Sequence, residues 1–214
     1  MFAVRRQRPF RAILLAGCAV AVSLLAGGEA RANLRRDAQT CANQSIEAAR
    51  DRINACERII KSGRLRGEPR GVAYALRGLA LLDTGDFAHA IGDLNQAIAF
   101  APSFAPAYQN RGNAWYARGN FGAALADYDR AIQLDPDSAS PYVNRAILRR
   151  DLGNAKGAME DFQKAIEISP NRASAYSARG ELYMHERDYA RAIADYDRAV
   201  KLAPTPKHYM LRAL

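Results

Sequence analysis

The chain has 214 residues, of which 31 are basic and 22 acidic, so its formal net charge is +9. Its three histidines lie far apart in the sequence, and its glycines do not have the spacing of a phosphate-binding loop. These features argue against an enzyme, and we predict no catalytic residues, no cofactor and no metal.

Residues 1–32 have the three parts of a bacterial-type secretory signal. A basic lead precedes an apolar run from residue 12 to residue 26, and the small residues Ala30 and Ala32 follow it. The run is too short for a membrane span, so we expect no stable span. Cleavage after Ala32 would leave Asn33 as the first mature residue and would place the protein in the periplasm.

A second interpretation of this segment stays open. Leu15-Ala16-Gly17-Cys18 fits the pattern of a lipoprotein signal, in which Cys18 is lipidated and becomes the N-terminus. Few apolar residues precede Cys18 and the apolar run continues past it, which favours ordinary export. Without residues 1–32 the chain keeps 26 basic and 21 acidic residues. Because this bias is moderate and export is predicted, we expect no nucleic-acid partner.

Export also bears on Cys41 and Cys56, the two cysteines that remain. Disulfides persist outside the cytosol, so we predict that this even pair is bonded. A closed loop of about fifteen residues would add roughly 3 kcal/mol of stability in the chain-entropy model. Two free thiols or half of a metal site are the alternatives, but no other Cys or His lies nearby to complete a zinc set.

The bridge would join a helical hairpin that caps the chain within residues 33–70. Both helices are expected between Cys41 and Lys61, where apolar residues recur at helical spacing. Ser62 to Arg70, which is rich in glycine and arginine, is predicted to be an exposed linker. The hairpin loosely resembles the sequence of the later segments, and we interpret it as the terminal cap that stacked repeats need.

Residues 71–206 consist of four 34-residue segments that align without a gap: 71–104, 105–138, 139–172 and 173–206. A fixed period of this length indicates stacked units rather than one globular core. Six columns recur in register: Tyr74, Tyr108, Tyr142 and Tyr176; Arg77, Arg111, Arg145 and Arg179; Gly78, Gly112, Ala146 and Gly180; Ala90, Ala124, Ala158 and Ala192; Ala97, Ala131, Ala165 and Ala199; Pro102, Pro136, Pro170 and Pro204.

This spacing of aromatic, small residue, alanine and closing proline resembles the tetratricopeptide repeat (TPR), and the resemblance covers about 136 of 214 residues. It implies an all-α fold, a right-handed α-solenoid of four helix-turn-helix units. The small residue of each first helix marks a close helix crossing, because glycine inside a helix otherwise costs about 1 kcal/mol. The third repeat departs from the pattern, with Ala146 for glycine and Ala155 where the others have an aromatic ring.

Each arginine of the second column is followed sixteen residues later by an aspartate: Asp93, Asp127, Asp161 and Asp195. The arginine lies on the first helix of its repeat and the aspartate on the second. We therefore predict four ion pairs within repeats, which would hold the helices in register more than they would add stability.

In the TPR family the first helices line a concave groove. The resemblance implies a protein-binding groove made of Gln109, Asn110, Asn113, Tyr116, Asn144, Arg150, Glu181, Met184 and His185. Asparagine can bond a peptide backbone, and tyrosine is enriched at interface hot spots. The matching positions of the first repeat are Leu76, Leu79 and Leu82, which we expect the hairpin to cover. The alternative is that the polar set is merely tolerated surface.

Some family members grip a C-terminal carboxylate with two asparagines and several cations. Asn113 and Asn144 match the asparagines, but Gln109, Ser174 and Ala178 stand where cations would be required. We therefore do not predict that this chain binds chaperone tails.

The sequence as a whole predicts a non-enzymatic interaction scaffold or adaptor in the periplasm, with a protein or peptide partner in the groove. Two other functions stay open: a lipid-anchored envelope-assembly factor held through Cys18, and a regulatory subunit of an envelope enzyme. Residues 207–214 look like a short further helix. They are few for a complete cap, so we expect an apolar C-terminal end that is open to self-association.

Overall fold

A computed structural model describes residues 28–43, 48–205, 209–210 and 212. These ranges hold ten α-helices and no β-strand. Their bounds are α1 Gly28–Cys41, α2 Ala49–Lys61, α3 Gly67–Asp83, α4 Phe87–Phe100, α5 Ala105–Ala117, α6 Phe121–Leu134, α7 Ala139–Asp151, α8 Ala155–Ile168, α9 Ala173–His185 and α10 Tyr189–Leu202. Residues 1–27 of the predicted signal lie outside the described residues. The cleavage of this signal and the export of the protein stay predictions.

The helices form two compact units, residues 1–118 and 119–214. Within the described ranges, the first unit contains α1 to α5 and the second contains α6 to α10. None of the described helices is both long and apolar enough to cross a membrane.

Helix-turn-helix connections form where the sequence predicts them. Gly85, Gly119 and Gly153 adopt φ angles of +78°, +75° and +78°, a left-handed conformation that ends a helix. In the fourth repeat Arg187 takes this place with φ +62°. The second helix of each repeat begins two residues after this turn residue. An Asp or Asn lies between them, and its side chain accepts a hydrogen bond from a backbone N–H of the first helical turn.

The small residues of the first helices lie where the sequence predicts close crossings. A β-carbon added to Gly78 would stand 2.9 Å from Leu94 Cγ, and one added to Gly180 would stand 2.6 Å from Tyr196 Cε1. Real side chains do not approach this closely, so a larger residue at either position would force Leu94 or Tyr196 to move. In the third repeat Ala146 is fully buried in the same cluster as Phe162, and its methyl group is accommodated there.

The predicted disulfide is present in the N-terminal hairpin. Cys41 and Cys56 are bonded with a Cα–Cα distance of 4.9 Å, and both are fully buried. The prediction that both helices follow Cys41 is wrong, because α1 ends at this residue. Its buried positions, Ala38 and Cys41, recur at helical spacing and lie against α2.

The hairpin covers Leu76, one of the three leucines predicted to lie beneath it, whereas Leu79 is half-buried and Leu82 packs in a separate cluster of α3, α4 and α5 residues. Leu76 is 3% exposed in one cluster with Cys41, Cys56, Ile59 and Ile60. Arg52 of α2, which is 1% exposed, donates to Asp83 at the end of α3 across 2.6 Å. An apolar cluster and a partly buried ion pair thus fix the hairpin on α3, and the disulfide joins the hairpin's own two helices.

The linker departs from its prediction as an exposed segment. Leu65 is 3% exposed and belongs to the hairpin's apolar cluster. Residues 67–70 form the first turn of α3 rather than a connection. A single apolar residue among glycines and arginines leaves no periodic signal, so the sequence pattern does not reveal this anchor.

Three of the four predicted ion pairs join residues of the same unit, one pair in the first unit and two in the second, and these three are confirmed. Arg77, Arg145 and Arg179 each donate two hydrogen bonds to Asp93, Asp161 and Asp195, over 2.6 to 2.9 Å. These aspartates are 7%, 3% and 6% exposed. Hydrogen bonds to the carboxylates raise the pKa of Arg77 and Arg179, so both guanidinium groups stay charged. The pair of Arg111 with Asp127 would join the two units and stays a prediction.

The column arginines of the second, third and fourth repeats also donate to a side chain of the preceding repeat, sixteen residues earlier in the sequence. Arg111 donates to Asn95 at 2.7 Å, Arg145 to Asp129, and Arg179 to Gln163 at 3.0 Å. Each guanidinium also lies 5.6 to 5.8 Å from the ring of the tyrosine three residues before it, a cation–π distance. The recurring spacing of tyrosine and arginine within the chain therefore has a physical cause.

Removal of the disulfide should destabilise the N-terminal unit. We expect the Cys41→Ser/Cys56→Ser double variant to lose about 3 kcal/mol of unfolding free energy, because its unfolded state regains the entropy of a free loop. Urea unfolding followed by circular dichroism measures this. Reduction of the native protein should cause a similar loss, and an unchanged midpoint in both cases would contradict a stabilising bridge.

Loss of a buried aspartate should destabilise the second unit more than loss of an exposed one. Asp161 accepts from Arg145 and also from Arg149 at 2.9 Å, so Asp161→Asn leaves two arginines without their shared buried carboxylate. We expect a loss of about 3 kcal/mol. Asp137→Asn is the matched control, since Asp137 is exposed, and it should change stability by less than about 0.5 kcal/mol. Equal effects of the two variants would contradict the account.

Candidate protein-binding surface

In the first unit, the predicted groove residues lie on one helix. Pro106 stands at the start of α5, where its missing N–H is not needed. At helical spacing, Gln109, Asn113 and Tyr116 share the face opposite the fully buried Ala107 and Ala114. All three are half-buried, as is Asn110 beside them. Helix α5 therefore carries amide groups and one phenol along a single partly accessible face.

In the second unit, the structure brings two predicted residues into direct contact. Arg150 of α7 donates from Nη1 to Oε2 of Glu181 on α9, over 2.7 Å. It also donates from Nε and Nη2 to Oδ1 of Asp151, over 3.0 and 2.9 Å. Two carboxylates thus bind one guanidinium group, and Asp151 belongs to no repeated column of the sequence.

Burial by itself lowers the pKa of Arg150, but the hydrogen bonds to Asp151 and Glu181 outweigh it and raise the pKa overall. The arginine therefore stays charged, and its charge is compensated locally. An acidic ligand would have to displace one of these carboxylates before it could bind Arg150.

The other predicted residues of the second unit have different surroundings. Asn144 is half-buried on α7. Met184 packs against the cluster of Tyr183, Ala192 and Tyr196, so part of its side chain belongs to the core. His185 is exposed in the last turn of α9, where a cation is favoured by the helix dipole. Because the nine residues belong to two units, one groove that includes all of them stays a prediction.

Apolar surface is present at the C-terminal end. Tyr189 and Ile193 of α10 are 54% and 51% exposed, one helical turn apart. Tyr209, Met210 and Arg212 are helical, and Arg212 donates to Asp197 of α10 at 2.8 Å. Self-association through this end stays a prediction.

Three family profiles match the sequence, each described as a tetratricopeptide repeat, over residues 75–139, 113–182 and 173–206. Together they extend over more than half of the chain, and the match over residues 173–206 coincides with the fourth 34-residue segment. The chain belongs to the tetratricopeptide-repeat family.

Solved structures of TPR proteins have the same fold. TTC0263, a thermophilic TPR protein of Thermus thermophilus, is 20% identical with a TM-score of 0.70, over 86% of this chain and 99% of that one. MamA from residue 41 of Desulfovibrio magneticus RS-1 is 16% identical with a TM-score of 0.64, over 85% and 99%. YrrB, described as a TPR protein with an unusual peptide-binding site, is 18% identical with a TM-score of 0.60, over 79% and 90%. No curated protein matches the sequence.

A double-mutant cycle tests the contact between α7 and α9. Arg150→Met and Glu181→Gln each remove one side of the pair, and we expect a coupling free energy of about 1 kcal/mol, because the pair is only partly exposed. Urea unfolding of the two single variants and the double variant measures it. Additive single effects would mean that Arg150 and Glu181 do not interact in solution.

Proposed function

We propose that this TPR protein is a non-enzymatic scaffold in the bacterial periplasm that binds an extended peptide or a partner's segment on its first helices. The observation that carries the proposal is the face of α5, where Gln109, Asn113 and Tyr116 are aligned and half-buried. TPR proteins in general bind proteins or peptides, and the description of YrrB names a peptide-binding site.

The chemistry of this face suits a peptide backbone. Each amide side chain offers both donors and an acceptor, and can therefore bond the N–H and C=O groups of an extended chain. Tyr116 offers a rigid ring with a polar tip, which gives contact area at a small cost in entropy. Because Gln109, Asn113 and Tyr116 carry no charge, we expect the partner segment to be uncharged or mixed in charge rather than strongly acidic.

A peptide-display selection on the folded, oxidised protein tests this function. Peptides selected on the native chain should lose at least tenfold in affinity for Asn113→Ala/Tyr116→Ala, because both the amide and the anchoring ring are removed. Fluorescence anisotropy with labelled peptides gives the affinities.

The matched control removes the same chemistry from other helices. Gln96 of α4 and Tyr189 of α10 are exposed, so Gln96→Ala/Tyr189→Ala also deletes one amide and one phenol. We expect this variant to bind the selected peptides like the native chain. Peptides that ignore the α5 variant, or that lose equally with both, would contradict a binding face on α5.

The Cys41–Cys56 bond supports the proposed location, because disulfides persist in oxidising compartments. The intact mass of protein from the cell envelope, before and after reduction with alkylation, tests it. We expect a species that begins at Asn33 and takes up two alkyl groups only after reduction. A species that begins at lipidated Cys18 would favour the membrane-anchored alternative, and alkylation without reduction would contradict the bridge.

A further inference from the structure

The charge of the chain is concentrated at its N-terminal side. Residues 33–70 contain nine basic and five acidic residues, whereas residues 71–214 contain 17 and 16. The repeats are thus nearly neutral, and five of their arginines are used in the ion pairs described above: Arg77, Arg145, Arg149, Arg150 and Arg179. The hairpin and the segment after it carry most of the excess.

The contacts of the hairpin place several of these cations at one end. Cys41 of α1 is bonded to Cys56 of α2, and Asp37 pairs with Arg58. The earlier residue of α1, Asp37, contacts the later residue of α2, Arg58, so α1 and α2 are antiparallel. Arg35 and Arg36 precede Asp37 by one or two residues, and Lys61 follows Arg58 by three, so all three lie at the end away from the disulfide.

The segment after α2 adds two more cations at this end. Leu65 is anchored in the hairpin cluster, which holds its neighbours Arg64 and Arg66 against the cap. The Arg64 N–H donates to Ser62 Oγ, and Ser62 Oγ–H donates to the carbonyl of Ile59. The chain is therefore turned back on the end of α2. We call Arg35, Arg36, Lys61, Arg64 and Arg66 the basic end.

The basic end is accessible and weakly compensated. All five side chains are exposed. Lys61 pairs with Glu57, while the described part of the chain provides no carboxylate partner for the four arginines. Glu68, at the start of α3, is the acidic residue next in sequence to Arg66, and it is exposed.

We propose that the basic end binds the surface of an anionic phospholipid membrane. Its cations come from three separate segments and stand on exposed positions, an arrangement that suits a broad anionic surface.

An acidic protein segment is the competing partner. It would be recognised through carboxylates held in a fixed arrangement, and would gain from a neighbouring apolar or aromatic contact. The described residues around the five cations offer no exposed large hydrophobic side chain, since those found in the described ranges lie between Phe121 and Met210. A lipid surface needs only charge, at about fivefold in partitioning for each cation near the membrane.

Vesicle sedimentation tests the proposal with the protein as recovered from cells. The probes are vesicles of pure phosphatidylcholine and vesicles that also contain phosphatidylglycerol, whose negative surface potential attracts basic segments. We expect at least tenfold more protein on the anionic vesicles, and loss of this preference at 0.5 M salt, where the Debye length is only about 4 Å. Any lipid affinity of the preceding apolar run contributes to both vesicles and cancels in the ratio.

A matched pair of variants locates the effect. Arg35→Gln/Arg64→Gln/Arg66→Gln should lower the preference for anionic vesicles at least tenfold. Arg118→Gln/Lys156→Gln/Lys201→Gln removes the same charge from exposed positions of the repeats and should leave the preference within about twofold, since charge acts only within a Debye length of the surface.

Two results would overturn the proposal. Equal losses in both variants would mean that net charge, and not the basic end, governs binding. Tight binding of a labelled decaglutamate peptide that the first variant abolishes, with no preference for anionic vesicles, would assign the basic end to an acidic protein instead. The α5 variant should leave the vesicle preference unchanged, so this test is independent of peptide binding.

Discussion

Three of the repeats depend on a buried aspartate of the second helix, whose charge an arginine of the first helix neutralises. An aspartate removed from water costs several kcal/mol unless it is paired and hydrogen-bonded. Asp93, Asp161 and Asp195 are paired only when the first helix presents an arginine at the right height. This requirement favours one register for the two helices. The glycine or alanine next to the arginine in sequence then lies at the crossing, where little space is left.

The same arginine carries the register from one repeat to the next. Its remaining donors bind a side chain sixteen residues earlier, on the second helix of the preceding repeat. Internal hydrogen bonding thus uses one polar side chain on each of three second helices: Asn95, Asp129 and Gln163. The surfaces proposed to meet other molecules lie on other elements, the peptide-binding face on α5 and the basic end on the hairpin and the segment after it.

The sequence predicts those contacts that recur at the repeat period, because each appears as a column. The arginine–aspartate pairs, the helix crossings and the turns belong to this class, and the cysteine pair follows from its number and predicted compartment. A contact that occurs in only one repeat does not appear as a column in the sequence. The bond between Arg150 and Glu181 spans 31 residues rather than a multiple of the period, and Leu65 stands alone in a polar segment. Neither can be read from the pattern, and both change the chemistry of the surface around them.

The central claim is that the chain works by holding a partner on the first helices, and site-specific crosslinking in living cells tests it most directly. A photo-crosslinking phenylalanine analogue in place of Tyr116 should yield one discrete species crosslinked to a partner, while the same analogue in place of the exposed Tyr189 should not yield that species. Crosslinks to the same protein from both positions, or from Tyr189 alone, would contradict a partner bound on α5.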